Sequence, residues 1–186
     1  MMRIITGRAR GTKLVTLEGN NTRPTSERVK EAVFSMIQFD IEGRRVLDLF
    51  AGSGQMGLEA LSRGALKATF VDNSKEAVNV IRQNVTKTHF EGESEIILSD
   101  AEGYLRRIKG REKFDLVFID PPYAAGIRGK MLELLLELEL LKPTSTIACE
   151  SGEEDIFKAS PELAERFEII KKARYSISYV TILNIK

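Results

Sequence analysis

The C-terminal stretch restricts the fold more than any other part of the chain. Two β-forming runs, Phe167–Arg174 and Ser176–Leu183, stand back to back with only Tyr175 between them. No helix fits into that break, so the two strands must be antiparallel. Upstream the order is different. Apolar runs at 46–50, 68–71, 95–98, 114–119 and 146–149 alternate with helical stretches at 56–63, 75–87, 101–108 and 129–141. Strands separated by helices build a parallel sheet. The unbroken Val-Phe-Ile of the 114–119 run suits a strand buried within it. The expectation is an α/β domain whose parallel sheet closes in a C-terminal antiparallel hairpin.

The N-terminal residues precede that alternation. Residues 2–6 and 13–17 gather β-formers around Gly7 and Gly11, which predicts a small β-hairpin. Arg23-Pro24-Thr25-Ser26-Glu27-Arg28 then reads as a helix start. Thr25 or Ser26 serves as the cap, and Val29, Val33, Phe34 and Ile37 follow at helical spacing. A length of 186 residues favours one domain, 1–186, made of an extension over 1–40 and a core over 41–186.

Several chemistries are excluded at this point. Nothing approaches an apolar run long enough for a transmembrane helix, and the first residues are too polar for a secretory signal. The single cysteine, Cys149, has no partner for an internal disulfide. The single histidine, His89, makes neither a zinc cluster with it nor a histidine-dependent triad. A metal-free, cytoplasmic protein is expected. Its net charge of +1 speaks against a nucleic-acid partner until its distribution is read. Residues 1–30 hold seven basic side chains (Arg3, Arg8, Arg10, Lys13, Arg23, Arg28, Lys30) against Glu18 and Glu27. A basic arm on a slightly acidic body suits a polyanion, with Arg8, Arg10 and Lys13 as candidate phosphate contacts.

Two motifs carry the chemistry. In Asp48-Leu-Phe-Ala-Gly52-Ser-Gly54-Gln-Met-Gly57 a strand feeds a glycine turn and then a helix. That arrangement presents free backbone N–H groups to a ligand and also matches a dinucleotide fingerprint. Asp48 argues against a pyrophosphate there, because like charges would meet. It suits a cationic nucleoside instead, and S-adenosylmethionine carries a sulfonium, an amino group and a ribose without phosphate. Asp72, ending the second strand, fits the ribose hydroxyls. Asp100, ending the third, fits the adenine amino group. Each acid alone is more commonly a strand-end cap, but three on successive strands line the edge where open sheets bind ligands.

The second motif is Asp120-Pro121-Pro122-Tyr123, directly after the 114–119 strand. The prolines stiffen the turn and leave carbonyls facing outward. Asp120 and a main-chain carbonyl accept the two N–H groups of an amino group on a base, and Tyr123 stacks on the ring. Alignment of nitrogen, methyl and sulfur would supply the rest of the rate.

Together these motifs resemble the class I S-adenosylmethionine-dependent methyltransferases that modify exocyclic amino groups. More closely, Arg3-Ile-Ile-Thr-Gly, Arg23-Pro-Thr-Ser-Glu-Arg-Val-Lys-Glu-Ala-Val-Phe, Gly57-Leu-Glu-Ala-Leu-Ser-Arg-Gly and Asp120-Pro-Pro-Tyr occur in one order. The chain is similar in this to the bacterial small-subunit (16S) ribosomal RNA guanine-N2 methyltransferase family. The resemblance implies a Rossmann-like, seven-stranded, mostly parallel sheet and methyl transfer to N2 of a guanine in 16S ribosomal RNA. The partner would be that RNA or a small-subunit assembly particle, with no obligatory protein partner. Cofactor contacts are implied at Asp48, Phe50, Gly52, Gly54, Asp72, Asn73, Asp100 and Ala101. Asp120, Pro121 and Tyr123 are implied at the target base, with Arg23, Pro24 and Thr25 lining the site. Gln55 and Met56 depart from the family pattern, which has a small and an aliphatic residue there.

Other readings stay open at this stage. Asp-Pro-Pro-Tyr alone also fits methylation of adenine N6 in DNA or of another amide-like nitrogen. A nicotinamide-dependent oxidoreductase fits the glycine turn but leaves that motif unused, and a non-catalytic nucleic-acid-binding module uses neither. His89 reads as a surface residue, Cys149 as core and Leu132–Leu141 as a helix face. Glu150 either orients the base or caps its strand.

Overall fold

The computed structural model describes residues 2–17, 27–121, 126–175 and 178–186. Seven strands form one sheet in the order β3-β2-β1-β4-β5-β7-β6. They are β1 (Arg45–Asp48), β2 (Lys67–Asp72), β3 (Ser94–Leu98), β4 (Phe114–Ile119), β5 (Leu141–Ser151), β6 (Phe167–Tyr175) and β7 (Ser178–Ile185). The first five are mutually parallel, and β7 runs antiparallel to both β5 and β6. The expected architecture is therefore met, including the reversed final hairpin.

The helices are α1 (Glu27–Met36), α2 (Gln55–Ser62), α3 (Lys75–Thr88), α4 (Ala101–Arg107) and α5 (Ile127–Glu137). Two apolar layers separate them from the sheet. Phe34, Leu58, Leu61 and Ile81 of α1–α3 pack on one face, against Val46, Phe70 and Phe118. Tyr104, Leu105, Leu132 and Leu135 of α4 and α5 cover the other, against Leu47, Val117 and Ile119. Every residue of β4 is buried, which explains the apolar run of its residues 116–119. Its one acid, Asp115, accepts from the Arg45 N–H and pairs with Lys142.

Two expectations need correction, and a third is met in shortened form. The N-terminal segment folds back as a small antiparallel hairpin: around the Arg3–Lys13 bridge, the Ile4 N–H donates to the Thr12 carbonyl at 3.0 Å and the Leu14 N–H to the Met2 carbonyl at 2.9 Å. It is shorter than expected, and Ile5 and Thr6 donate their N–H groups to the Glu59 carboxylate. The helix expected to 141 stops at Glu137. Its apolar run continues through Leu138 and Leu140 into the sheet, the chain turning at Glu139 with φ 53. The strand expected at 146–149 is the middle of an 11-residue strand. His89 is exposed and ends α3 in a left-handed conformation, and Cys149 is core, both as expected. The cap at Thr25 or Ser26 lies outside the described residues.

Candidate active site

The parallel strands all point their carboxyl ends at one edge, and an acid stands at each end. Asp100, Asp72, Asp48, Asp120 and Glu150 belong to β3, β2, β1, β4 and β5, in that spatial order. The chain leaves β1 toward β2 on one side and reaches β4 on the other. Such reversals open the crevice in which open α/β sheets bind ligands. Here a cleft occupies that position, lined by Asp48, Phe50, Asp120 and Glu150 among others. Ile119 pairs with Cys149, so Asp120 and Glu150 stand next to each other. The cleft thus joins both sequence motifs and brings in Glu150.

Asp48 is 4% exposed and accepts one long bond, 3.2 Å, from the Gly57 N–H. Burial, followed by the charges of Asp120 and Asp72, raises its carboxyl to about 7 against the pull of that N–H. An acid so poorly compensated is a place for a cation. Asp72 shapes the turn instead: its two oxygens accept from Gly52 N at 2.8 Å and Ser74 N at 2.9 Å. The turn itself needs glycine, with φ +55 at Gly52 and +77 at Gly54. A Cβ at Gly57 would stand 2.3 Å from Phe70 Cε1, so α2 lies hard against β2.

The remaining residues expected at the cofactor differ in their fit. Asn73 is exposed beside Asp72, and Ala101 is buried at the start of α4. Asp100 caps α4, accepting from Gly103 N at 2.7 Å, so the cap that its position allowed is what it forms. Asp100 is exposed and is not among the residues that line the cleft. Of the residues expected at the base, Asp120 is exposed at the cleft and Pro121 is buried behind it. Tyr123, Arg23, Pro24 and Thr25 lie outside the described residues.

The basic arm is bolted to the core. Arg8 grips Glu93 through both terminal nitrogens, at 2.6 and 3.1 Å, with its guanidinium 4.9 Å above the Phe90 ring. It is half spent on structure, whereas Arg10 and Lys13 extend from the arm without such a grip on the core. Deeper, Glu59 and Lys30 are fully enclosed and 3.6 Å apart. Lys30 also donates to the Arg3 carbonyl at 2.5 Å, and burial holds its ammonium below the ordinary lysine range. Asn84 completes the attachment. Its amide exchanges bonds with the Val15 backbone and donates to the Ser53 carbonyl at 2.8 Å, tying the arm to the glycine turn. Sequence reasoning counted Lys30 in the basic arm open to a polyanion, which its burial against Glu59 corrects, and it gave Glu59 and Asn84 no role. Asn84 alone carried a signal, as an amide on the apolar stripe between Ile81 and Val85.

Comparison with known proteins agrees with this geometry. The sequence model of the family described as Conserved hypothetical protein 95 matches residues 2–184. The Ribosomal RNA small subunit methyltransferase D of Haemophilus influenzae is 38% identical over 162 residues, covering 87% of this chain and 83% of its own. The protein of that name from Escherichia coli is 35% identical over 154 residues, covering 83% and 76%. The chain belongs to the small-subunit ribosomal RNA methyltransferase D family. Among solved structures, the yhhF protein of Escherichia coli superposes with a TM-score of 0.84 at 29% identity, over 100% of this chain and 98% of that one. A hypothetical protein of Thermus thermophilus gives 0.82 at 26% identity over 100% of both. Membership in the methyltransferase D family bears out the expected class, a Rossmann-like methyltransferase that uses S-adenosylmethionine. Among the described residues, no helix is long and apolar enough to cross a membrane.

Proposed function

We propose that the chain transfers a methyl group from S-adenosylmethionine to the exocyclic N2 of a guanine in small-subunit ribosomal RNA. The observation that carries this reading is the cleft between Asp48 and Asp120, with a buried, undercompensated acid on one side and an exposed one on the other. The donor set fits the cofactor: Asp48 offers negative charge to a cation, and the Asp72-braced turn offers backbone N–H groups and a carboxylate to a ribose. When bound, S-adenosylmethionine supplies an electrophilic methyl group and leaves as a neutral thioether.

The remaining work falls to the chain. Asp120 accepts an N–H of the target amino group, turns the nitrogen lone pair toward the cleft and takes up the proton as the new bond forms. Phe50 and the cleft walls exclude water. The base must reach Asp120 unpaired or flipped, because an amino group inside a duplex is out of reach. Arg10 and Lys13 hold the RNA backbone, with Arg23 to Thr25 and Tyr123 at the base. Residues 1–40 then form the RNA-binding extension of a single cytoplasmic domain whose core is 41–186.

The test is tritiated-methyl transfer to unmodified 30S particles and to naked 16S RNA, with the labelled base mapped. Label at guanine N2 is expected, and label at adenine N6 or no label overturns the reading. Asp120→Ala should abolish transfer while S-adenosylhomocysteine still binds. Equal loss of both would remove Asp120 from its assigned role.

A further inference from the structure

The fold withdraws several cations from the N-terminal arm. Lys30 is enclosed with Glu59, Arg8 grips Glu93, and Arg3 stands 3.5 Å from Glu27. A denser basic surface lies on the other face of the sheet. Residues 106–113, Arg-Arg-Ile-Lys-Gly-Arg-Glu-Lys, cover the end of α4 and the turn into β4, with five cations against one acid. All five cations are exposed. The turn that carries them is pinned: Ile108 is buried in the core, and the Arg111 N–H donates to the Ile108 carbonyl at 2.9 Å.

The acids around this surface are already engaged. Glu112 faces Arg45 at 3.6 Å, Glu95 faces Lys67 at 2.6 Å, and Glu102 is shared by Arg106 and Lys130. Among the described residues no carboxylate lies within ion-pair distance of Lys109, Arg111 or Lys113. The surface offers no apolar anchor either, since Tyr104, Leu105 and Ile108 are all buried. Protein partners are commonly held by aromatic anchors seated in pockets. Fixed cations without counter-charges suit phosphates instead.

Distance from the cleft decides which part of an RNA this surface meets. α4 starts after the carboxyl end of β3 and runs back, so the turn lies at the amino edge of the sheet, where β4 begins. The cleft opens at the other end of β4, beyond Ile119. The six residues of that strand separate the two by about 20 Å. We propose that Lys109, Arg111 and Lys113 form a second phosphate-binding surface for small-subunit ribosomal RNA, holding a backbone segment apart from the one that presents the target base. This rests on RNA being the substrate. About 20 Å is more than two Debye lengths at physiological salt, so these cations grip the RNA without acting on the transfer itself.

The experiment compares wild type with a variant carrying Lys109→Ala, Arg111→Ala and Lys113→Ala together. Only exposed side chains are removed, so thermal unfolding and calorimetry with S-adenosylhomocysteine should match wild type; Arg111→Gln with Lys113→Gln serves if they do not. Binding is followed against salt for naked 16S RNA, for 30S particles and for a target hairpin too short to span from the cleft to the turn. For 16S RNA and particles the salt slope should fall by about 2, at 0.7 per phosphate contact, and affinity at physiological salt by roughly tenfold to a hundredfold. Methyl transfer to 30S particles should show a raised KM with kcat unchanged, and hairpin binding should not change. Unchanged affinity and slope on 16S RNA would overturn the inference. So would an equal loss on the hairpin, which would place these cations at the target segment. Loss on particles without loss on naked RNA would assign the surface to a ribosomal protein and overturn it as well. A wild type that binds and labels no RNA defeats the functional reading itself, an outcome separate from these three.

Discussion

Glu59 and Lys30 form an enclosed ion pair, yet removing one or the other should have very different costs. Glu59 accepts from Ile5 N at 2.8 Å, Thr6 N at 3.0 Å and Arg63 Nε at 2.9 Å, in addition to facing Lys30. Lys30 has the Arg3 carbonyl and Glu59. In Lys30→Met the carboxylate keeps three donors, so the loss is about 2 kcal/mol, that of one charged hydrogen bond. In Glu59→Leu an ammonium is left buried without a counter-charge, which costs roughly 3–5 kcal/mol. Two backbone N–H groups of the arm are orphaned as well, at about 1–3 kcal/mol each before relaxation. The sum approaches the whole stability of an ordinary domain, on the order of 5–15 kcal/mol.

Thermal unfolding should therefore show a midpoint drop of roughly 4–8 °C for Lys30→Met and well over 10 °C for Glu59→Leu. Hydrogen exchange gives the local reading. The Ile5 and Thr6 amides should stay protected in Lys30→Met and lose protection in Glu59→Leu. If Lys30→Met proves as costly as Glu59→Leu, or if those amides exchange equally in both, the carboxylate is not what holds the arm.

Asp48 predicts a pH effect on stability. Its carboxyl moves from 3.8 to about 7 on folding, raised by burial first, so its contribution is fully present below pH 3.8 and is lost as pH rises through 7. The span is worth about 4 kcal/mol, and Asp48→Asn should raise the thermal midpoint at pH 8 but not at pH 4; identical profiles would refute this. Replacing Arg10 and Lys13 with alanine should lower RNA affinity and reduce the salt slope by about 0.7 for each phosphate no longer neutralised, with the midpoint unchanged. Arg8→Ala should lower the midpoint too, because Arg8 also holds Glu93. Gly57→Ala drives a methyl group into the Phe70 ring and should cost about 1–3 kcal/mol in denaturant unfolding; a silent substitution would mean that α2 shifts freely on the sheet.

The sheet was legible because its strands write their environment directly. β4 is apolar on both faces, and a strand pair without a linker has only one geometry. The acids at the strand ends were legible for the same reason, since strand ends are where the runs stop. Asp100 shows the limit of that logic. A carboxylate two residues past a strand serves a helix cap or a ligand equally well in sequence, and only the Gly103 N–H separates the two. The seating of the N-terminal hairpin on the core depends on a carboxylate 53 or more residues away. No local pattern carries that information. Lys30 was hidden because a lysine in a helix following Arg28 reads as solvated, although it is fully enclosed. The end of α5 was hidden because Glu139 takes a positive φ where no glycine marks the turn.

α2 does two jobs at its two ends. Gln55 at its start forms part of the cleft wall, and Glu59, Leu61 and Ser62 toward its end hold the arm through Ile5, Thr6, Arg8 and Ala9. Its eight residues rise about 12 Å, a length that a helix packed on all sides does not change. On the proposed function the helix becomes a ruler between the arm and the cleft. An RNA backbone held at Arg10 and Lys13 would then have to deliver its target base at that one distance, and folds that hold it nearer or farther would be rejected by length alone.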